Sequence, residues 1–184
     1  MVIVFIGPPG CGKGTQAQIL KDNYLPNLNI LTVSTLLKAK SNDGSVLGMD
    51  IKKKMDNGDL IEDQTVISVL KEKVESLGSE DILIDGFPRS SIQAEALMNI
   101  INKEKIHIIN FEVNDEELKL RIAKRTQEET RADDKVFDKR LGIYKKSHEE
   151  IVNTLTKFTS IINIAANDNI ESITQKIIEK LGIN

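Results

Sequence analysis

The residues best suited to chemistry in this chain are cations placed for phosphate. All five arginines among the 25 basic residues, Arg89, Arg121, Arg125, Arg131 and Arg140, lie at or beyond position 89. A guanidinium offers a planar fork of donors that matches phosphate oxygens, whereas a lysine acts as a point charge. One lysine has a special setting. "GPPGCGKGT" (Gly7 to Thr15) gathers four of the chain's 11 glycines and two of its 4 prolines around Lys13. Glycines let successive backbone N–H groups converge on phosphate oxygens without Cβ interference. A following helix would add its positive N-terminus, and Lys13 a full charge near the β and γ phosphates. A strand-to-helix turn that binds nothing needs one or two glycines, not four with a lysine. Gly7-x4-Gly12-Lys13 between a strand and a helix is the setting of a P-loop.

One detail departs from the general form of that loop. Gly14 follows Lys13, and the hydroxyl comes one residue later, at Thr15. In the general motif the hydroxyl after the lysine is a magnesium ligand. Here a Mg2+ is expected to be held mostly by phosphates and water, with Asp85 organising those waters. Cys11, inside the loop, reads as a small filler and not as a nucleophile.

The elements that must position these residues alternate in type. "VIVFI" (Val2 to Ile6) reads as a buried strand, and "TQAQILKDNY" as the helix after the loop. "NILTV" (Asn29 to Val33), "DILID" (Asp81 to Asp85), "IHIINFEV" (Ile106 to Val113) and "IINIAA" (Ile161 to Ala166) read as further strands. Val66, Ile67, Leu70, Val74 and Leu77 fall at helical spacing, with Gly78 as the stop. "NDEE" (Asn114 to Glu117) reads as an N-cap with a capping-box glutamate, opening a helix through Leu118 and Ile122. Ile173, Ile177, Ile178 and Leu181 stripe a last helix. Apolar strands alternating with helices predict an α/β fold, a parallel sheet covered on both faces. Two stretches break the rhythm: 34–59, too long for one crossover helix, and the polar 126–134. Both read as excursions over the strand ends, where open α/β sheets bind ligands.

Composition narrows the partners. The chain of 184 residues suits a single domain, and its net charge of -3 opposes a general attraction to nucleic acid or anionic membrane. With no Trp and 4% aromatic residues, base-stacking platforms are not expected. The single cysteine excludes a multi-cysteine zinc site and fits a reducing, cytoplasmic setting. "MVIVFI" lacks the basic leader and cleavage site of a signal peptide, and no apolar run approaches membrane-spanning length. No leftover apolar stripe asks for a partner, so a monomer is expected.

"GKGTQA" together with "DGFPRS" (Asp85 to Ser90) is far more specific than either alone. With "MDNGDLIED", "RIAKR", "TRADD" and "KRLGIY", the chain resembles the adenylate kinase family of nucleoside monophosphate kinases nearly from end to end. The resemblance implies a P-loop NTPase-type five-stranded parallel sheet with a monophosphate-binding subdomain (34–61) and a short lid (126–134). It implies reversible phosphoryl transfer from ATP to AMP, giving two ADP. The acceptor is a phosphate oxygen already anionic at neutral pH, so no general base is required, and catalysis rests on positioning and charge neutralisation.

Carried over by resemblance, Gly10, Cys11, Gly12, Lys13, Gly14 and Thr15 hold the donor phosphates. Arg121 covers the ATP adenine with backbone near Ala166, and Arg125 meets the ATP phosphates. Arg89 grips the acceptor phosphate beside Gly86, Phe87 and Pro88, and Gln93 reads the acceptor base edge. Asp59, Leu60 and Ile61 line that base's pocket. Arg131 and Arg140 clamp the transferring group, with Asp133 and Asp134 as lid latches. Lys13, Arg89, Arg125, Arg131 and Arg140 are thus the expected catalytic set.

The match changes at "LTVSTLLK" (Leu31 to Lys38). Lys38 stands in place of the family's arginine, and Val33 where a threonine contacts AMP. Lysine keeps the charge and loses the bidentate fork, so weaker acceptor binding is expected. Two alternatives stay open on sequence alone: a kinase of the same family acting on UMP or CMP, and a nucleotide-binding protein with weak catalysis.

Overall fold

A computed structural model describes residues 1–57, 61–78, 80–101, 105–128 and 137–183, with side chains of 125–128 left out. Five strands, β1 (Val2–Ile6), β2 (Asn29–Thr32), β3 (Ile82–Asp85), β4 (Ile106–Glu112) and β5 (Ile161–Ala165), form one sheet in the order β2-β3-β1-β4-β5. Every pairing is parallel.

Because successive side chains alternate between faces, each central strand feeds two cores. Val4, Ile6, Ile84 and Ile108 enter one, and Ile3, Phe5, Leu83, Ile109 and Phe111 enter the other. The first core is covered by α2 (Val33–Ser41), α3 (Val46–Asn57), α4 (Asp63–Leu77), α5 (Ser91–Ile100) and the later half of α7 (Phe137–Leu155). The second is covered by α1 (Lys13–Asn23), α6 (Asp115–Glu128), the start of α7 and α8 (Ile170–Leu181). Phe5 and Phe111 meet edge-on, with ring centroids 4.9 Å apart, on adjacent strands of this second face. Burial on both sides explains why the strands read as continuous apolar runs instead of alternating ones.

The expected strands all form, although Val33 leaves β2 to open α2. The 34–59 excursion holds two helices, α2 and α3, joined by an ordered turn. Gly44 takes φ 76°, Asp43 Oδ1 accepts from the Ser45 N–H at 2.8 Å, and Ser45 Oγ accepts from the Gly48 N–H at 3.0 Å. The Ser45 hydroxyl and N–H, with Lys40, hold the Asp43 carboxyl down at about 2. The polar stretch from Thr126 begins as the end of α6, which runs to Glu128.

Caps follow local chemistry. Asn114 Oδ1 accepts from the Glu117 N–H at 2.8 Å, as the sequence predicts. The Glu117 carboxylate does not close a capping box; it turns to Arg121, one helical turn on, at 2.7 Å. Gln16, in the first turns of α1, is 2% exposed and ties that helix to α8. Its Nε2 donates to Ile170 O at 3.0 Å, and its Oε1 accepts from Thr174 Oγ1 at 2.8 Å.

Candidate functional site

In the sheet order, β1 stands between β3 and β4, so the loop after it lies where the connections diverge to opposite flanks. That is the position at which open parallel sheets take ligands. The loop's backbone needs glycine. Gly7, Gly10 and Gly12 take φ of 146°, 82° and 100°. A Cβ on Gly7 would lie 2.9 Å from Phe111 Cβ and 3.1 Å from Cys11 Sγ, so the loop is pressed down onto the β4 end. Cys11 is buried and fills that space, as its size suggests.

α1 starts at Lys13 from Gly12, with no side-chain cap and no acidic residue in its first turn. Its first intrahelical bond comes from the Gln16 N–H to Gly12 O. The amides of Lys13, Gly14 and Thr15 therefore present donors at a positive helix end. Lys13 arches back over the loop, where its Nζ donates to Gly7 O and Pro8 O, each at 2.9 Å, and sits 3.4 Å from Cys11 Sγ.

Arg121 knits this loop to two other segments. Its Nε donates to Glu117, Nη1 to Cys11 O at 3.2 Å and Nη2 to Ala166 O at 2.7 Å. Ala166 is fully buried, and its own N–H donates to Glu112 O at 2.9 Å. One guanidinium thus links the P-loop, α6 and the β5–α8 turn.

On the other flank, Asp85 ends β3, in register with Phe5 of β1 and Thr32 of β2. A Cβ on Gly14 would come 4.0 Å from Asp85 Oδ2, so the carboxylate faces the start of α1. The chain then turns through Gly86, with φ 84°, and a cis Phe87–Pro88 peptide, with Phe87 and Pro88 buried. Arg89 is exposed, and its Nε donates to Gly86 O at 2.8 Å. Gln93 is 4% exposed, and both ends of its amide are engaged. Its Oε1 accepts from the Arg89 N–H at 2.8 Å, and its Nε2 donates to Asp63 Oδ1 at 2.7 Å. Ser90 caps α5 and donates to Asp63 Oδ2 at 2.7 Å.

The two segments assigned to opposite flanks therefore meet at one end of the sheet: bare helix-end amides with a lysine on one side, a carboxylate and an arginine turn on the other. The family model for adenylate kinase matches residues 5–160, spanning both. The chain belongs to the adenylate kinase family. It is 35% identical to an adenylate kinase of Leptospira biflexa, over 97% of this chain and 98% of that protein. It is 32% identical to one of Synechococcus sp. CC9311, over 95% of each chain. It is also 32% identical to one of Methanosarcina barkeri, over 96% of each.

The segment from Val33 to Lys38, where the resemblance changes, has clear surroundings. Val33 is 4% exposed and packs into the first core, while Lys38 is exposed on α2. Ile61 is half-buried against the same core. Arg140 is half-buried in the first turn of α7. Asp59, Leu60, Arg131, Asp133, Asp134 and the Arg125 side chain lie outside the described residues. Sequence reasoning missed Asp63, Ser90 and the Glu117 pairing. Two signals were available: Ser90 and Gln93 have capping-box spacing, and Glu117 and Arg121 stand four apart on one helix.

Proposed function

We propose that the site works as an adenylate kinase site with two flanks, ATP on the Lys13–Arg121 side and AMP on the Arg89–Gln93 side. The chain is an ATP:AMP phosphotransferase, and its reaction turns ATP and AMP into two ADP. The bond from the ATP γ-phosphorus to the bridging oxygen breaks, ADP leaves, and an oxygen of the AMP phosphate forms the new bond. The acceptor oxygen is already ionised, so no proton has to move. The observation that carries the division of roles is the meeting of the uncapped start of α1 with the Asp85–Arg89 turn.

On this reading the amides of Lys13, Gly14 and Thr15 and the Lys13 ammonium hold the donor phosphates. Lys13 exchanges its bonds to the loop carbonyls for bonds to phosphate. Arg121 flanks the adenine, fixed by Cys11 O and Ala166 O. Arg89 holds the acceptor phosphate, and Arg125, Arg131 and Arg140 neutralise charge on the transferring group, with Asp133 and Asp134 latching residues 126–134 over it. Loss of one such arginine is expected to cost about 3 kcal/mol in the barrier. Residues 34–61 form the monophosphate-binding subdomain.

Mg2+ fits the donor set. Asp85 is a single hard oxygen ligand facing the start of α1, and its carboxylate makes no hydrogen bond or ion pair among the described residues. No cluster of three or more ligating side chains occurs among the described residues, so the ion's remaining ligands would be phosphate and water. When bound, the ion supplies charge neutralisation between the phosphates. The protein is read as a cytoplasmic monomer, and no described helix is long and apolar enough to cross a membrane.

The test is a coupled assay with ATP and, in turn, AMP, UMP, CMP and GMP, with and without Mg2+. AMP is the expected acceptor, and a dinucleotide spanning both flanks is expected to bind tightly. Preference for UMP or CMP would move the chain to another branch of the family. ATP binding with turnover on none of the four would make it a binding protein.

A further inference from the structure

Asp63, Ser90 and Gln93 form a closed set whose purpose the division of nucleotide roles leaves unexplained. Both Asp63 oxygens are used, Oδ1 accepting from Gln93 Nε2 and Oδ2 from Ser90 Oγ, each at 2.7 Å. Ser90 is held in turn, because its Oγ accepts from the Gln93 backbone N–H at 3.1 Å. Across the amide, the Arg89 N–H donates to Gln93 Oε1 at 2.8 Å. An ionised carboxylate only accepts and a backbone N–H only donates, so one orientation of the Gln93 amide satisfies both neighbours. Turned over, the amide would set its oxygen against the carboxylate and its N–H groups against the Arg89 N–H. At 4% exposure, water is poorly placed to replace the lost partners.

We propose that Asp63 is a positioning residue that selects the acceptor base, by fixing the order in which Gln93 presents its remaining N–H and its remaining lone pair. The proposal rests on the reading of Gln93 as the contact to the acceptor base edge. A 6-amino purine offers a ring-nitrogen acceptor beside an amino donor. A 6-oxo purine offers the reverse, a ring N–H beside a carbonyl oxygen. An amide free to turn over serves either edge, whereas an amide held in one order serves one of them. Asp63 belongs to α4 and Gln93 to α5, so the base preference is set by a contact between two helices as well as by the pocket wall.

The test uses the full chain and two acceptors that differ only at this edge, AMP and inosine monophosphate. The readout is the ratio of their kcat/KM values. Asp63→Asn keeps the shape and can turn either its oxygen or its amide toward Gln93, so it no longer opposes the reversed order and the Arg89 N–H is left as the guide. The ratio is expected to fall about tenfold, with the ATP KM changed by less than about twofold. Asp63→Ala likewise leaves the Arg89 N–H as the remaining guide, and a fall of the same order is expected; if this variant does not fold, Asp63→Asn still carries the test. Gln93→Leu checks the underlying reading and should bring the ratio close to unity. An unchanged ratio in Gln93→Leu overturns that reading and the proposal with it. A collapsed ratio in Gln93→Leu, with AMP and inosine monophosphate weakened equally in the Asp63 variants, overturns the role of Asp63 alone.

Discussion

The two flanks of the cleft are held by different parts of the polypeptide. On the flank proposed for the donor most of the shaping contacts run to main-chain atoms, Lys13 to Gly7 O and Pro8 O and Arg121 to Cys11 O and Ala166 O, with Arg121 to Glu117 the side-chain exception. On the flank proposed for the acceptor, side chains bond to side chains, Asp63 to Gln93 and to Ser90, with the Arg89 N–H closing the set. Main-chain contacts tolerate changes of neighbouring side chains, because every residue supplies the same carbonyl. A side-chain set loses its geometry when any member changes. The difference predicts a donor site that is hard to retune and an acceptor site that single substitutions can redirect.

The largest effect expected is at Lys13. Lys13→Met should lower kcat about 1,000-fold while leaving the thermal midpoint close to that of the parent, as checked by steady-state assay and calorimetry. A loss confined to the ATP KM would mean that Lys13 binds without stabilising the transfer. Two glycines sharpen the contrast further. A Cβ on Gly48 would lie 2.3 Å from Lys40 O and 2.4 Å from Asp43 Oδ1, at the α2–α3 turn. Gly48→Ala should therefore destabilise the chain by about 2 kcal/mol in denaturant titration and raise the AMP KM more than the ATP KM. At Gly12 the nearest atom to such a Cβ is Arg121 Nη1, at 4.0 Å, so the cost there is backbone strain alone, about 1 kcal/mol. Next comes Arg121→Ala, expected to raise the ATP KM about tenfold with the AMP KM unchanged, since it frees the Ala166 turn from the loop. Equal changes in both constants would break the separation of flanks. The smallest effect is at the family departure. Lys38→Arg should lower the AMP Kd about threefold by supplying a forked donor, and titration calorimetry reads it directly.

The donor flank was legible because its requirements are written locally. Four glycines and a lysine within nine residues, after an apolar strand, specify backbone shape and charge without knowledge of anything distant. The strands were legible for the same reason, since apolar runs such as "VIVFI" are buried whichever neighbour they pair with. The acceptor flank was recognised through "DGFPRS" and its likeness to a family, but its wiring was not. Asp63 and Gln93 are 30 residues apart, and nothing in either neighbourhood marks them as partners. α5 and α7 were likewise not foreseen, although α7 runs from Phe137 in one core to Leu155 in the other, so its apolar positions do not keep a single stripe. Glu117 shows the limit of pattern rules. Its spacing from Asn114 permits a capping box, and an arginine four residues on outcompetes the backbone.

The strand order also bears on how such a chain can be taken apart and reassembled. Because β2 and β3 lie on one side of β1, everything from Asn29 to Ile100 that shapes the acceptor flank is one unbroken stretch of sequence. The donor flank is the remainder, split in two and rejoined across β1 and β4. A single crossover at each end of that stretch would thus exchange the β2–β3 side of the sheet as one piece, with the later half of α7 left as the recipient's own contact to it. On the proposed division of roles, choice of acceptor would travel with that stretch, independently of the phosphoryl donor.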